Sequence, residues 1–256
     1  MSGFTDHFAT VSDGYRRHRP GYPPELFAWL ADRAPHRRLA WDCATGTGQA
    51  ARELARHFDR VEATDASAAQ IRKARPCDGV VFRLAPAEAG GLGDHSVSLV
   101  TVAQALHWFN VDAFYGEVRR VLCAGGLLAV WTYGLARTGE PAIDASLAAF
   151  HDTELGPYWP PQRRHVVNGY RDLPFPFDTL DTPGFTMQRH WNLEQLTGYL
   201  GTWSAVARCR EATGTEPLDA LRRRLAPLWE DPAAVRAVRW PLTLRVGRAG
   251  SGPSHA

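Results

Sequence analysis

The chain has 256 residues, 45% of them hydrophobic, and a formal net charge of +2. That length suits one α/β domain with an insertion, and so small a charge leaves no footprint for a nucleic-acid partner. Nearly every cation is arginine, Lys73 being the one lysine, and the densest run, Arg222 to Arg224, reads as a solvated helix face. Cys43, Cys77, Cys123 and Cys209 are scattered, with no C-x-x-C or Cys/His ligand spacing, so neither a disulfide framework nor a metal site is expected. The absence of an 18-residue apolar run and of a signal pattern in Met1 to His7 predicts a cytoplasmic protein with no membrane partner.

In chain order, Pro23 and Pro24 open an amphipathic helix with Leu26, Phe27, Trp29 and Leu30 at helical spacing. Leu39 to Cys43 reads as a strand, Gln49 to Phe58 as a helix, and Arg60 to Asp65, Gly79 to Leu84 and Val97 to Val102 as three further strands. Val111 to Leu122 is a helix stopped by Gly125 and Gly126, and Leu127 to Trp131 a strand apolar enough to be buried on both faces. Such alternation predicts a doubly wound, mainly parallel α/β sheet. Residues 134–183 break the pattern: they are rich in proline and aromatics, with one helix around Ala142 to His151, and read as a cap over a cleft. Beyond them come a strand from Phe185 to His190, helices over Leu193 to Ala212 and Leu218 to Trp229, and a last strand from Arg239 to Val246. Pro241, lacking an N–H, is expected near that strand's start or at a bulge. Residues 1–248 are read as a single domain, and the small, polar segment 249–256 as a disordered tail.

The turn after the first strand carries the chemistry. Asp42 ends the strand, Gly46 and Gly48 follow, and Asp65 closes the second strand about 20 positions beyond the glycines, which is the spacing of a nucleoside-binding βαβ unit. A carboxylate at Asp42 would repel a pyrophosphate but suits a ligand bearing an ammonium group. S-adenosylmethionine (SAM), with an ammonium, a sulfonium and a ribose diol, is therefore preferred over NAD. Asp65 would accept both ribose hydroxyls. An NAD-dependent oxidoreductase stays open, because Gly46, Gly48 and Ala51 also fit the dinucleotide fingerprint, and so does a SAM-binding regulator without catalysis.

At the carboxyl ends of the strands four segments should converge: Asp42 to Gly48, Asp65 with Ala66, Ala87 with Glu88, and Ala103 and Gln104 leading to His107 and Trp108. Together these resemble the class I SAM-dependent methyltransferases over Ala40 to Trp131. The resemblance implies a Rossmann-like, seven-stranded mixed sheet and SAM as cofactor. Ala44 stands where that family usually has a glycine; its methyl is expected to require a negative φ.

Tyr15, Arg19, Pro20 and Tyr22, then His107 to Phe109, Gly156 to Trp159, and Thr202 to Ala205 resemble, more narrowly, the trans-aconitate methyltransferase-like subfamily. That resemblance implies an N-terminal lid over residues 1–25, in which Arg19 pairs with the methionine carboxylate and Tyr15 adds a hydroxyl, unless Arg19 merely leads into the first helix. It also implies that Ala87 and Glu88 face the adenine, against the alternative of an exposed loop acid. The acceptor is expected to be a small molecule, most readily a carboxylic acid. His107 is either a catalytic base or a structural neighbour of Trp108. Trp108, Tyr158, Trp159 and Trp203 are candidate acceptor walls, and Arg163, with Arg164, a candidate clamp for an acidic acceptor.

Overall fold

The computed structural model describes residues 20–249. In chain order its main elements are α1 (Pro24–Arg33), β1 (Leu39–Cys43), α2 (Gln49–Leu54), β2 (Arg60–Asp65), α3 (Ala68–Lys73), β3 (Val80–Leu84), β4 (Val97–Ala103), α4 (Val111–Val121), β5 (Leu122–Tyr133), α5 (Pro141–Ala149), α6 (Arg163–Val167), β6 (Asp178–Leu180), β7 (Thr186–Trp191), α7 (Leu193–Leu200), α8 (Ser204–Thr213), α9 (Pro217–Trp229) and β8 (Arg236–Arg248). The sheet runs β3-β2-β1-β4-β5-β8-β6, a seven-strand path, with β7 added alongside β8. The first five strands pair in parallel and β8 runs antiparallel to β5. This is the doubly wound mixed sheet expected from the sequence.

Strict alternation explains why the central strands are apolar throughout. Ala40, Leu99, Leu127, Ala129 and Trp131 enter one core with α1 and α2, while Trp41, Cys43, Val100, Val102, Leu128 and Val130 enter a second core with Phe114, Tyr115 and Val118 of α4. Both faces of a parallel sheet are covered by helices, so neither parity of residue meets water. Trp131 is fully buried, edge-on to Tyr22 and Phe27.

Several boundaries differ from the sequence reading. The second helix keeps α geometry only to Leu54; the N–H groups of Arg56 and His57 turn back to carbonyls three residues earlier. The Leu193 to Ala212 helix is two helices, because the chain bends through Gly201 to an extended Trp203, where a Cβ on Gly201 would press Leu218 at 3.2 Å. Strand β5 begins directly after α4 and carries Gly125, at φ +72°, within it. Pro241 lies inside β8, where that strand passes from β7 to β5: it stands opposite Thr186, and pairing with β5 starts at Leu242. The segment 134–183 also contributes a strand, β6, which its irregular sequence did not announce. Residues 1–19 and 250–256, most of the lid and tail readings, lie outside the described residues; of the remainder, Tyr22 packs against Trp131, Pro24 opens α1, and the Ala249 N–H donates to Gly126 O at 3.1 Å, so the described chain reaches one residue into the expected tail.

The glycine turn has two distinct constraints. Gly48 sits at φ +82° as the cap of α2, and a Cβ there would meet the Phe82 ring at 2.6 Å, so this glycine is required by packing against β3. At Gly46, φ +59°, a Cβ would meet Gln70 at 3.9 Å, an ordinary contact, so the left-handed backbone and not packing favours glycine there. Ala44 has φ +55°, the reverse of the negative φ expected; its methyl is tolerated in a left-handed conformation at a cost of about 1 kcal/mol or more. Thermal unfolding should therefore move in opposite directions at two neighbouring sites. Ala44→Gly is expected to raise stability by about 1 kcal/mol, and Gly48→Ala to lower it by about 1–3 kcal/mol; equal shifts would contradict this account of the turn.

Candidate cofactor and acceptor site

The strand order reverses between β1 and β4, so a crevice opens at their carboxyl ends. Asp42 is opposite Thr101 in the β1–β4 register. Its carboxylate is 1% exposed and accepts hydrogen bonds from Thr101 Oγ1 at 2.8 Å and Thr45 Oγ1 at 2.5 Å. Burial pushes its pKa up to about 6, against the lowering effect of those two hydroxyls. Asp65 holds the turn from the other side: one oxygen accepts the Gly46 N–H at 2.8 Å, the other the Ser67 N–H at 2.8 Å.

Ala87 is buried, and Glu88 is half-buried. Glu88 accepts the N–H of Asn110, the residue that caps α4. It is thus a tie between two loops. Asp42, Glu88 and Asp65 all act electrostatically on the buried Cys43 thiol, whose pKa is raised first by burial and then by these three carboxylates. Three acids thus converge on one end of the crevice. Ala66 follows Asp65 at its rim, half-buried, and Ala103 ends β4.

Gln104 adopts φ +58° and straps β4 to β5, its Nε2 donating to Tyr133 O at 3.0 Å and its Oε1 accepting from Thr132 Oγ1 at 2.6 Å. Beyond it the short 3₁₀ turn Leu106–Trp108 presents His107. Its Nδ1 lies 3.0 Å from the hydroxyl of Tyr170, a buried residue at φ +60°, and its ring centroid lies 4.6 Å from that of Trp108, the planes tilted by 45°. Burial, then the positive charge of Arg163 and His165, lowers the His107 pKa to about 3. Burial raises that of Tyr170. Both groups are neutral near pH 7.

Arg163 opens α6 and lies over the Trp159 ring at 4.7 Å, with Nη2 3.3 Å from His151 Nε2. Trp159 and Trp203 face one another at 5.5 Å around His151. The expected walls Trp159 and Trp203 and the expected clamp Arg163 thus come together, and Arg163 also reaches His107 and Tyr170 electrostatically. Arg164 is exposed. Tyr158 turns its hydroxyl towards Cys209 of α8. Tyr15 and Arg19 lie outside the described residues. The densest arginine run is partly engaged, Arg224 pairing with Glu154 at 2.7 Å and Arg222 with Asp219 at 3.2 Å. Tyr170, His151, Thr45 and Thr101 escaped the sequence reading. Thr101 alone carried a signal, as a hydroxyl inside an otherwise apolar strand beside Asp42.

A family profile described as a methyltransferase domain matches residues 41–130, from β1 to β5. A candidate methyltransferase of Dictyostelium discoideum is 32% identical, over 87% of this chain and 86% of that protein. An uncharacterized methyltransferase of Mycobacterium tuberculosis is 31% identical, over 86% of this chain and 85% of its own length. Among solved structures, a candidate type II methyltransferase from Anaeromyxobacter dehalogenans superposes with a TM-score of 0.86 and 44% identity, covering 90% of this chain and 98% of that one. These matches set aside the oxidoreductase alternative. The three acids acting on Cys43 fit a cationic nucleoside cofactor and oppose a pyrophosphate. The chain belongs to the class I SAM-dependent methyltransferases.

Proposed function

We propose that this enzyme methylates a carboxylate oxygen of a small-molecule acid, as the likeness to the trans-aconitate methyltransferase-like subfamily suggests. The observation that carries this reading is the separation of charge along the crevice. Asp42, Asp65 and Glu88 act together on Cys43 at the end of β1, while the Arg163 guanidinium acts on the neutral His107 and Tyr170. The acidic end suits a cation and the arginine end an anion. Free cysteines support a reducing, cytoplasmic location, and among the described residues no helix is long and apolar enough to cross a membrane.

In this reading Asp65 takes the ribose hydroxyls, the Ala87 backbone and Glu88 face the adenine, and the Asp42 charge favours the ammonium. Arg19 and Tyr15, in the proposed N-terminal lid, would close on the methionine carboxylate. Bound SAM supplies an electrophilic methyl group on a sulfonium. A carboxylate acceptor arrives already ionised, so the protein's work is to hold it in line and keep water out. Arg163 holds the acid, Trp159, Trp203 and Trp108 wall the site, and His107 packs beside it without moving a proton.

Three tests follow from these assignments. Asp65→Ala should weaken SAM by about 10- to 150-fold in calorimetry, the loss of hydrogen bonds to a charged group; unchanged affinity would remove Asp65 from the cofactor site. Asp42 has a folded pKa of about 6 against an unfolded value of about 3.9, so its contribution to stability is greatest below about pH 4 and is lost as pH rises through 6. A bound cation favours the ionised form. SAM affinity should accordingly climb through pH 6 with proton release and then level off, and Asp42→Asn should flatten both the affinity and the stability profiles between pH 4 and 7. Finally, with His107 neutral above about pH 3, the rate on a carboxylic acid should show no histidine limb between pH 5 and 8. His107→Ala should then cost rate without changing the profile's shape; a limb near pH 6.5 that vanishes in the variant would overturn the carboxylate assignment in favour of a hydroxyl or amine acceptor.

A further inference from the structure

Arginine carries donors only, so the 3.3 Å contact from Arg163 Nη2 to His151 Nε2 requires that ring nitrogen to be an acceptor without a proton. The proton of the neutral ring must then be on Nδ1, which lies 2.6 Å from Asp152 Oδ1. We propose that Asp152 and His151 form a positioning dyad that orients the Arg163 guanidinium towards an acidic acceptor. Asp152 accepts from His151 Nδ1–H and fixes the tautomer, and Nε2 accepts one Arg163 N–H, which sets the plane of the guanidinium. The inference rests on the carboxylate reading above and adds the residues that aim its cation.

The local backbone is shaped for this. Helix α5 ends in a π-helical turn, Phe150–Glu154, a wide geometry often found at functional sites. It turns Phe150 and His151 into the interior and leaves Asp152 at the surface. The Trp159 indole N–H donates to His151 O at 3.0 Å, holding the turn, and the Trp159 and Trp203 rings close on the imidazole at 4.9 Å and 5.5 Å. The same Trp159 supports the guanidinium at 4.7 Å. One indole therefore fixes both partners.

The charged groups acting on His151 are Arg163 from α6 and Asp152 from its own turn. Glu154, on the same turn, is engaged by Arg224 of α9. Burial and then Arg163 hold the imidazole neutral, against Asp152. Protonation at Nε2 would set a donor and a like charge against the guanidinium, so the arrangement comes apart only below the ordinary histidine pKa.

Nitrogen-15 spectra of the histidine side chains in the full chain test the contact without any acceptor. His151 is expected as the Nδ1–H tautomer at pH 7. Its pKa should rise in Arg163→Met, which removes a cation, and fall in Asp152→Asn, which removes an anion. An Nε2–H tautomer, or a titration untouched by Arg163→Met, would overturn the dyad. Citrate, as a tricarboxylate probe, then tests its purpose by calorimetry. His151→Ala should weaken citrate roughly tenfold, the scale of one hydrogen bond to a charged group, while His151→Gln, which retains an acceptor for Arg163, should recover most of the loss. Equal affinity in wild type and His151→Ala would show that the dyad does not aim the cation. Failure of wild type to bind citrate, with the tautomer and both pKa shifts as expected, would instead count against the carboxylate reading and leave the Arg163 contact standing.

Discussion

The buried Asp42 carboxylate is the interaction on which the site depends. It joins three pieces of backbone: its own strand β1, the glycine turn that follows it through Thr45, and the neighbouring β4, 59 residues on, through Thr101. Asp65 repeats the pattern from β2 by taking the Gly46 N–H. A turn of five small residues, Ala44 to Gly48, has little side-chain packing of its own, so these carboxylates supply its rigidity. Burying the Asp42 charge is unfavourable, as its raised pKa records. A cation brought to the crevice would reverse that sign, so a group that strains the empty protein would favour the loaded one.

The same logic accounts for strain in the backbone. Ala44, Gln104 and Tyr170 all have positive φ, and all three belong to the turns and bonds that surround the crevice. Each is over-determined by neighbours. Ala44 is followed by the Thr45 N–H, which bonds to Thr64 O at 2.9 Å; Gln104 is tied at both ends of its amide; and the Tyr170 carbonyl accepts from Arg245 at 2.6 Å. Unfavourable dihedrals persist where such bonds outweigh them. A glycine at position 44 would remove the strain but leave the turn a wider choice of shapes.

Much of the fold was legible because it is encoded locally. A strand buried on both faces must be apolar at successive positions, which is why β1, β4 and β5 stand out, and the Asp42, Gly46, Gly48 and Asp65 spacing follows from the geometry of one βαβ unit. The conformation of Ala44 was not legible, since the residue type argues for negative φ and only the surrounding bonds enforce the opposite. The packing requirement at Gly48 was not legible either: its Cβ is excluded by Phe82 on β3, a contact 34 positions away in the chain. The acceptor side was least legible. His107 and Tyr170 are 63 residues apart, and neither His151 nor Tyr170 belongs to a local pattern that would separate it from other residues of an aromatic-rich segment.

That asymmetry has a physical origin. The nucleoside half of the crevice is built from strand ends and one turn, so its side chains are set by sheet register: Asp42 meets Thr101 because their Cα atoms are partners. The acceptor half is assembled from an insertion whose pieces have no common register. Its short helices and turns are held by indole N–H bonds, ring contacts and an arginine stacked on tryptophan. Such contacts depend on side-chain shape more than on backbone pairing, and they can be exchanged without disturbing the sheet. On the function proposed here, a change of acceptor would require changes around Arg163, Trp159 and Trp203 while Asp42 and Asp65 stayed as they are. The sheet therefore constrains the cofactor chemistry tightly and the acceptor chemistry hardly at all.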